Sequence, residues 1–292
     1  MVNPYFIVNP VAGGGKARGR FSEIQARLEG MSLSYTALYS EKSGHTSQLA
    51  REALSNGAGI VIAAGGDGTV REIGQELLNT GVPLGILPLG TGNDLIKTLG
   101  ISQDYQSAFG QLLSCRAIPM DAATANGKLF LNVSGFGFDV DVLMKTEHYK
   151  KSLGGSMAYV AGVVHALAKL RPYRIQADTP LGAIDMDVIL LAAGNGCYFG
   201  GGMKVAPLAD PADGLLDFCI AEEIPRRKVL PLLTRFIKGQ HLQLDFVKYI
   251  KAKEMTLTCS PGAKVQLDGE IIEYTPVTFK VLPGALSVVR PG

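Results

Sequence analysis

The stretch Ile60-Val61-Ile62-Ala63-Ala64-Gly65-Gly66-Asp67-Gly68-Thr69 passes from unbroken apolar residues into a glycine cluster around one carboxylate. A five-residue apolar run bounded by glycine reads as a strand buried on both faces, as in a parallel sheet. The same rhythm extends outward in both directions. Tyr5 to Val8 is strand-like, Ala17 to Leu28 a basic amphipathic helix, Leu33 to Tyr39 a second strand and Ser47 to Leu54 a helix. Val70 to Leu78 is helical again, and Leu84 to Leu87 is a fourth strand. Strands separated by helices predict βαβ crossovers, hence a Rossmann-like parallel α/β domain.

Glycine is over-represented, at 36 of 292 residues, about 12% against a usual ~7%. Three clusters follow predicted strands: Asn9-Pro10-Val11-Ala12-Gly13-Gly14-Gly15-Lys16, Gly65 to Thr69, and Pro88-Leu89-Gly90-Thr91-Gly92-Asn93-Asp94. In open α/β sheets, ligands bind outside the carboxyl ends of the strands. A glycine loop entering a helix lets backbone N–H groups approach a phosphate. One such loop is an ordinary tight turn about as often as a binding loop; three at equivalent strand ends point to a phosphate ligand. Neither Walker A nor G-x-G-x-x-G is complete, because Pro10 and Ala17 break the first, and Arg18 and Leu95 break the second. A carboxylate beside a phosphate cradle is repelled unless a divalent cation lies between them, so Asp67 predicts Mg²⁺-nucleotide positioning. Asp94, taken alone, reads as a helix N-cap.

From about Asp121 the pattern changes. Lys128 to Ser134, Arg174 to Asp178, Asp185 to Ala192, Leu216 to Ala221, Glu254 to Ser260, Lys264 to Leu267 and Val277 to Val281 resemble strands. Two helices interrupt them, Ser156 to Leu170 and Arg226 to Lys238. This predicts an antiparallel β-sandwich or barrel-like second domain. The expected division is 1–125 for the α/β domain and 126–284 for the β-rich domain, with a last strand at about 285–292 returning to the first.

Other classes are disfavoured by absence. A net charge of +2 gives no overall basic field for nucleic acid. The cysteines Cys115, Cys197, Cys219 and Cys259 lack C-x-x-C spacing and are expected to be buried free thiols. The four histidines are scattered, with His165 reading as structural, and no serine sits in G-x-S-x-G. No signal-peptide pattern and no 18-residue apolar run is present, which predicts a soluble cytoplasmic chain meeting any membrane peripherally, at its inner face.

The motifs N-P-x-A-G-G-G-K, G-G-D-G-T and P-L-G-T-G-N-D, in this order, resemble the diacylglycerol kinase catalytic domain, in particular its bacterial lipid kinase branch. They are also similar to sphingosine and ceramide kinases, and more distantly to NAD kinases. The resemblance continues through Ser134-Gly135-Phe136-Gly137-Phe138-Asp139, Gly200 to Pro207, Asp213-Gly214-Leu215-Leu216-Asp217 and Asp268-Gly269-Glu270. It implies a first domain for Mg·ATP and a β-rich domain for a lipid acceptor at the membrane surface. By carry-over, Asn9, Pro10, Val11, Ala12, Gly13, Gly66, Asp67, Gly68, Thr69, Val70, Arg71 and Glu72 line the nucleotide. Ser40, Thr91, Asn93 and Asp94 complete that set. Asp67 orients the metal–triphosphate, and Glu270 is the general base for the lipid hydroxyl. Without the resemblance, Asp268-Gly269 reads as a hairpin turn followed by a surface Glu. A structural Mg²⁺ is implied at Asp210, Asp213 and Leu215, and a homodimer enters by analogy alone.

Two departures stand out. The family's Leu-Asn-Glu after G-G-D-G-T is Val70-Arg71-Glu72 here, and its Phe-Ala-Arg after G-T-G-N-D is Leu95-Ile96-Lys97. Both put a cation, Arg71 or Lys97, near the expected phosphates. The segment Arg226 to Lys238 has the mixed basic and apolar composition of an interfacial helix. The plainer reading is a domain helix with its apolar face in the core. The implied activity is transfer of the ATP γ-phosphate to a lipid hydroxyl, diacylglycerol-like in the first instance. The alternatives are an NAD or other soluble-metabolite kinase, and a non-catalytic lipid- or nucleotide-binding regulator. Retention of Asp67, Asp94 and Glu270 weighs against the last.

Overall fold

The computed structural model describes residues 3–150, 152–153, 155–180, 182–259 and 263–292. Gly154 of the glycine-rich segments and Ser260 of an expected strand lie outside them. The chain forms two compact units, one of residues 1–122 and 282–292, the other of residues 123–281.

In the first unit, β1 (Pro4–Val8), α1 (Ala17–Gly30), β2 (Thr36–Tyr39), α2 (His45–Ser55), β3 (Ile60–Gly65), α3 (Asp67–Leu77) and β4 (Leu84–Pro88) alternate as expected. β1 lies between β2 and β3, and β4 follows β3, all in parallel register with Tyr5 beside Thr36 and Val61. Ile7, Val8, Val61, Ala63, Ala64, Leu84 and Leu87 are fully buried, as a sheet covered on both faces requires. Phe21 and Ile24 of α1 seal one face, packing with Phe6 and Ile62. Two short helices that sequence periodicity did not reveal follow: α4 (Asp94–Thr98) and α5 (Tyr105–Ser114), the latter capped by the Asp104 carboxylate on Ser107 N–H at 2.8 Å.

β5 (Arg116–Ala125) leads out of this unit. The second unit contains β6 (Lys128–Phe130), β7 (Val133–Gly137), α6 (Phe138–Lys150), α7 (Gly155–Ala168), β8 (Tyr173–Thr179), β9 (Gly182–Gly194) and β10 (Leu216–Glu222). It continues with α8 (Arg226–Ile237), β11 (Val247–Ala252), β12 (Glu254–Cys259), β13 (Lys264–Leu267), β14 (Glu270–Tyr274) and the start of β15 (Val277–Arg290). Its strand pairings are antiparallel, along β14-β13-β7-β9-β8-β12-β15, with β10 and β11 branching from β9. Phe130, Phe136, Phe218 and Phe279 anchor the core. The two expected strands 277–281 and 285–290 are one continuous strand, β15. Its first residues pair with β12, and Val288 pairs with Leu84 of β4. The Asp121 carboxylate fixes this return by accepting the Gly284 N–H at 2.7 Å.

Helix α6 is a departure from the sequence reading. It is not among the expected helices and begins at Phe138, inside the motif Ser134 to Asp139, where Gly137 turns the end of β7 through a positive φ of 96°. The expected burial of the cysteines also needs correction. Cys197 and Cys219 are buried, with burial pushing the Cys219 thiol up to about 12, but Cys115 and Cys259 are partly exposed. Helix α8 puts Val229 and Phe236 into the core, and Phe236 stacks on His241 at 4.0 Å. That face is structural. His165 is bonded to Tyr149 Oη at 3.0 Å.

Asp139 opens α6 and is buried against Gly135, where a Cβ would come within 1.6 Å of its Oδ2. Burial raises its carboxyl to about 7, with the Gln266 Nε2–H bond at 3.2 Å pulling only partly the other way. The folded chain therefore holds a proton that the unfolded chain releases near pH 3.8. The group's contribution to stability falls as pH rises from that value and is fully lost above about 7. Replacing it with the uncharged isostere Asn removes this dependence. The melting-temperature gain of Asp139→Asn over the parent should be larger at pH 8 than at pH 5; a gain independent of pH would contradict the assignment.

Candidate functional site

The glycine clusters of the first unit meet at the carboxyl ends of β1, β3 and β4. Asn9 donates its backbone N–H to Ala64 O at 3.0 Å, and Leu89 N–H and Gly90 N–H both reach Gly65 O. The loops after three strands are thus hydrogen-bonded to one another rather than independent turns. Gly90 lies so close to Gly66 that a Cβ on Gly90 would be 2.4 Å from the Gly66 Cα. Gly13, at φ 62°, would place a Cβ 2.4 Å from Leu89 O. Both close approaches demand glycine for space, and Gly13 for conformation as well.

Helix α3 starts at Asp67, three residues earlier than the apolar period indicates, so Asp67-Gly68-Thr69 is a first helical turn and not a loop. The N–H groups of that turn have no partners within the helix, and the helix dipole adds positive potential there. Asn9 reaches the same turn, donating Nδ2–H to Thr69 Oγ1 at 3.2 Å while its Oδ1 accepts Val11 N–H at 3.3 Å. Pro10, Ala12 and Gly13 are half-buried beside it, and Val11 is exposed. Ser40, buried at the end of β2, donates its N–H to Val8 O at 2.9 Å.

Asp67 Oδ2 accepts Asp94 N–H at 3.2 Å and Oδ1 accepts Leu95 N–H at 3.3 Å. It therefore caps α4, a helix 27 residues away. This corrects the reading of Asp94 as a cap. The α4 cap position is Asn93, at φ 47°, whose side chain turns back to Gly90 O at 3.0 Å. Asp94 is the first residue inside the helix, with its carboxylate buried and paired to Lys97 Nζ at 2.6 Å. Lys97 also reaches Gly92 O at 3.3 Å, so this cation is engaged with its own loop. Burial pushes the Asp67 carboxyl up, and the neighbouring Asp94 charge adds to the rise. Two neighbouring carboxylates, Asp94 ion-paired to Lys97 and Asp67 bonded to the α4 amides, beside N–H donors for phosphate, offer oxygen donors of the kind a hard divalent cation takes. Mg²⁺ with a nucleotide phosphate fits these residues, and Asp67 and Asp94 would hold it. Thr91 is exposed at the rim. Val70 is buried in α3 and Arg71 half-buried. Glu72 turns to α2, where Thr46 Oγ1 donates to its carboxylate and Ser47 Oγ to its carbonyl. Glu72 thus ties α2 to α3.

In the second unit, Asp268 (φ 48°) and Gly269 (φ 88°) form the two-residue turn between β13 and β14, with Leu267 opposite Glu270. Glu270 is exposed at its exit. Asp268 does more than turn the chain. Its carboxylate accepts three backbone N–H groups, from Leu131 at 2.8 Å, Asn132 at 3.0 Å and Val133 at 3.1 Å. Gln266 Oε1 accepts the Gly269 N–H at 2.7 Å. The hairpin end carrying Glu270 is thereby fixed from both sides. Sequence reasoning gave Asp268 no such role; an Asp at a positive-φ turn position signals only the turn.

The Asp210–Leu215 loop is held by its own hydrogen bonds and by one ammonium. Asp213 Oδ1 accepts Leu215 N–H at 3.0 Å and Oδ2 pairs with Lys251 Nζ at 2.8 Å, while Asp210 Oδ1 accepts Ala212 N–H at 3.1 Å. Lys251 also lies 3.5 Å from Asp217 and 3.2 Å from Leu208 O. Among the described residues no group of three or more His, Cys, Asp or Glu side chains is placed to hold a metal ion, so at this loop as at Asp67 and Asp94 other oxygen atoms would complete a cation's shell.

Comparison with known proteins places these features in a family. Residues 3–125 match the diacylglycerol kinase catalytic domain, and residues 132–290 match the YegS C-terminal NAD kinase beta sandwich-like domain. A "Diacylglycerol kinase" of Mycobacterium tuberculosis is 32% identical over 98% of this chain and 94% of its own length. A "Probable lipid kinase YegS-like" protein of Pseudomonas aeruginosa is 35% identical over 85% of this chain and 82% of its own. A diacylglycerol kinase crystal structure from Bacillus anthracis superposes with a TM-score of 0.74 at 22% identity, covering 99% of this chain and 97% of that one, which supports the fold. With an α/β unit whose loops meet at Asp67 and an antiparallel unit bearing the Asp268-Gly269-Glu270 hairpin, this chain belongs to the diacylglycerol kinase family of lipid kinases.

Proposed function

We propose that this lipid kinase transfers the γ-phosphate of ATP, with Mg²⁺, to the hydroxyl of a diacylglycerol-like acceptor. The observation that carries the ATP–Mg²⁺ part is the Asp67 carboxylate, half-buried, charge-repelled by Asp94 and set at the N-terminus of α3. In this reading the first-turn N–H groups of α3 and the Gly13 loop hold the phosphates, and Asn9 orients that loop through Thr69. Mg²⁺, when bound, offsets the phosphate and carboxylate charge and polarises the transferred group.

Glu270 is the proton acceptor. The acceptor hydroxyl oxygen forms a bond to the γ-phosphorus as the bond to the ADP oxygen breaks, and the hydroxyl proton passes to the Glu270 carboxylate. The support is the hairpin end, pinned by Asp268 and Gln266, which fixes the backbone from which the exposed Glu270 projects. In the same reading a structural Mg²⁺, held by the Asp213 carboxylate and by groups at Asp210 and Leu215, carbonyls among them, stands apart from the transfer step.

The test is incubation of purified protein with γ-labelled ATP and membrane lipid extract, followed by mass spectrometry of phosphorylated products. Labelled phosphatidic acid that disappears on chelation of Mg²⁺ is the expected outcome. Labelling of NAD instead would overturn the lipid-acceptor assignment. Asp67→Ala should lower turnover by about 10³-fold or more, as expected for a group that orients charge in phosphoryl transfer. Glu270→Gln should cost roughly 10²- to 10⁴-fold in kcat with nucleotide affinity unchanged. Full activity in Glu270→Gln removes it as the base. Asp268→Ala should lower both melting temperature and kcat; a variant losing stability but keeping full kcat would show that hairpin rigidity is irrelevant to turnover.

A further inference from the structure

Lys97, one of the two departures from the family motif, has no part in the proposed transfer, yet it lies among the groups that would hold its metal. Its side chain is 16% exposed and that of Asp94, against it, 10%. The ammonium donates to Asp94 Oδ1 at 2.6 Å and to Gly92 O at 3.3 Å, so it ties the start of α4 to the glycine loop before it. A Cβ on Gly92 would lie 3.2 Å from Asp67 Oδ2, which sets that same loop against the second carboxylate. Lys97 also acts on Asp67. Burial and the Asp94 charge raise the Asp67 carboxyl, while the two α4 amides and Lys97 pull it the other way. One ammonium therefore serves both carboxylates.

An ammonium and a divalent cation compete for the same carboxylate oxygens. A metal ion entering alone must take Asp94 from Lys97 and leave the displaced ammonium close by. Two positive centres then repel each other in a site largely screened from water. A nucleotide changes the balance, because its phosphate oxygens bring negative charge that faces both the metal and the ammonium. Rejection of the lone metal needs no movement of the backbone. It follows from the charge that already occupies the site.

We infer that Lys97 is a resident counter-ion that keeps Mg²⁺ from the Asp67–Asp94 carboxylates until a nucleotide arrives, so that metal and nucleotide bind cooperatively. The inference rests on the proposed Mg²⁺–ATP reading and adds to it the residue that sets the coupling. Lys97 is a positioning residue here, acting through Asp94. Linkage makes the effect reciprocal, since the factor by which nucleotide tightens Mg²⁺ is the factor by which Mg²⁺ tightens nucleotide.

The test is calorimetric titration of the purified protein with Mg²⁺, alone and with the non-hydrolysable ATP analogue AMP-PNP. Lys97→Met should bind Mg²⁺ without nucleotide at least ~10-fold more tightly than the parent, because a neighbouring like charge is gone. Its Mg²⁺-dependence of analogue binding should shrink accordingly. Lys97→Arg, which keeps the charge, should bind Mg²⁺ as the parent does. Adding Asp94→Asn to Lys97→Met should abolish the gained site, which distinguishes it from any Mg²⁺ taken up at Asp213. Loss of the ammonium leaves Asp94 unpaired, so Lys97→Met should melt lower than the parent and recover with Mg²⁺ by more than the parent gains. Parental Mg²⁺ affinity in Lys97→Met, or a tight site gained equally by Lys97→Arg, overturns the inference. Asp67→Asn and Asp94→Asn separate its failure from that of the Mg²⁺–ATP reading. If both variants lose the Mg²⁺-dependence of analogue binding while Lys97→Met matches the parent, only the counter-ion role falls. If both retain it, the metal binds elsewhere and the two readings fall together.

Discussion

Two hydrogen bonds from the amides of Asp94 and Leu95 to the carboxylate of Asp67 organise the first unit's functional end. A residue at the start of one helix caps another, so the loops after β3 and β4 cannot move separately. The contact between Gly66 and Gly90 closes the same seam by steric fit. The arrangement carries an electrostatic cost, because Asp67 is desolvated and faces the Asp94 charge, and the two amide bonds and the Lys97 cation offset it in part. Buried carboxylates left partly uncompensated are characteristic of sites that take up a cation with their ligand. The constraint that shapes the loops thus also prepares them for charge.

The second unit uses carboxylates differently. Asp268 satisfies three consecutive backbone N–H groups at a β6–β7 junction that has no strand partner for them. Such a carboxylate replaces a missing piece of sheet. Asp139 lies behind the same hairpin, linked to Gly269 through the two ends of the Gln266 amide. The backbone position of Glu270 is therefore set by its own hairpin together with the Asp139 side chain of α6 and the backbone N–H groups of the β6–β7 connection.

Much of this was legible from residue order. The run from Ile60 to Ala64 gave the buried parallel strand, and the order of the glycine clusters gave the family. What periodicity could not supply is instructive. Helix α3 absorbs Asp67 and Gly68 because the tertiary packing of Gly66 against Gly90 overrides glycine's poor helix propensity. Helix α6 begins within a glycine-rich motif whose local signal is for a turn. Asp94 carries every local mark of a cap, yet the capping carboxylate comes from elsewhere in the sequence. Lys97 appeared as a phosphate-facing cation only because its partner, three residues away, had been assigned another task. Long-range hydrogen bonds leave no periodic trace.

Strand β15 has one more implication. Its early residues close the antiparallel unit and its late residues sit beside Leu84, while Asp121 and Gly284 are joined across 163 positions. The β-rich unit is thus an insertion within the α/β unit. On the ribosome, the α/β sheet lacks its β15 neighbour until everything between Ala123 and Val281 has been made. Vectorial synthesis therefore imposes an order, in which the inserted unit can be finished first and the first-made unit is finished last.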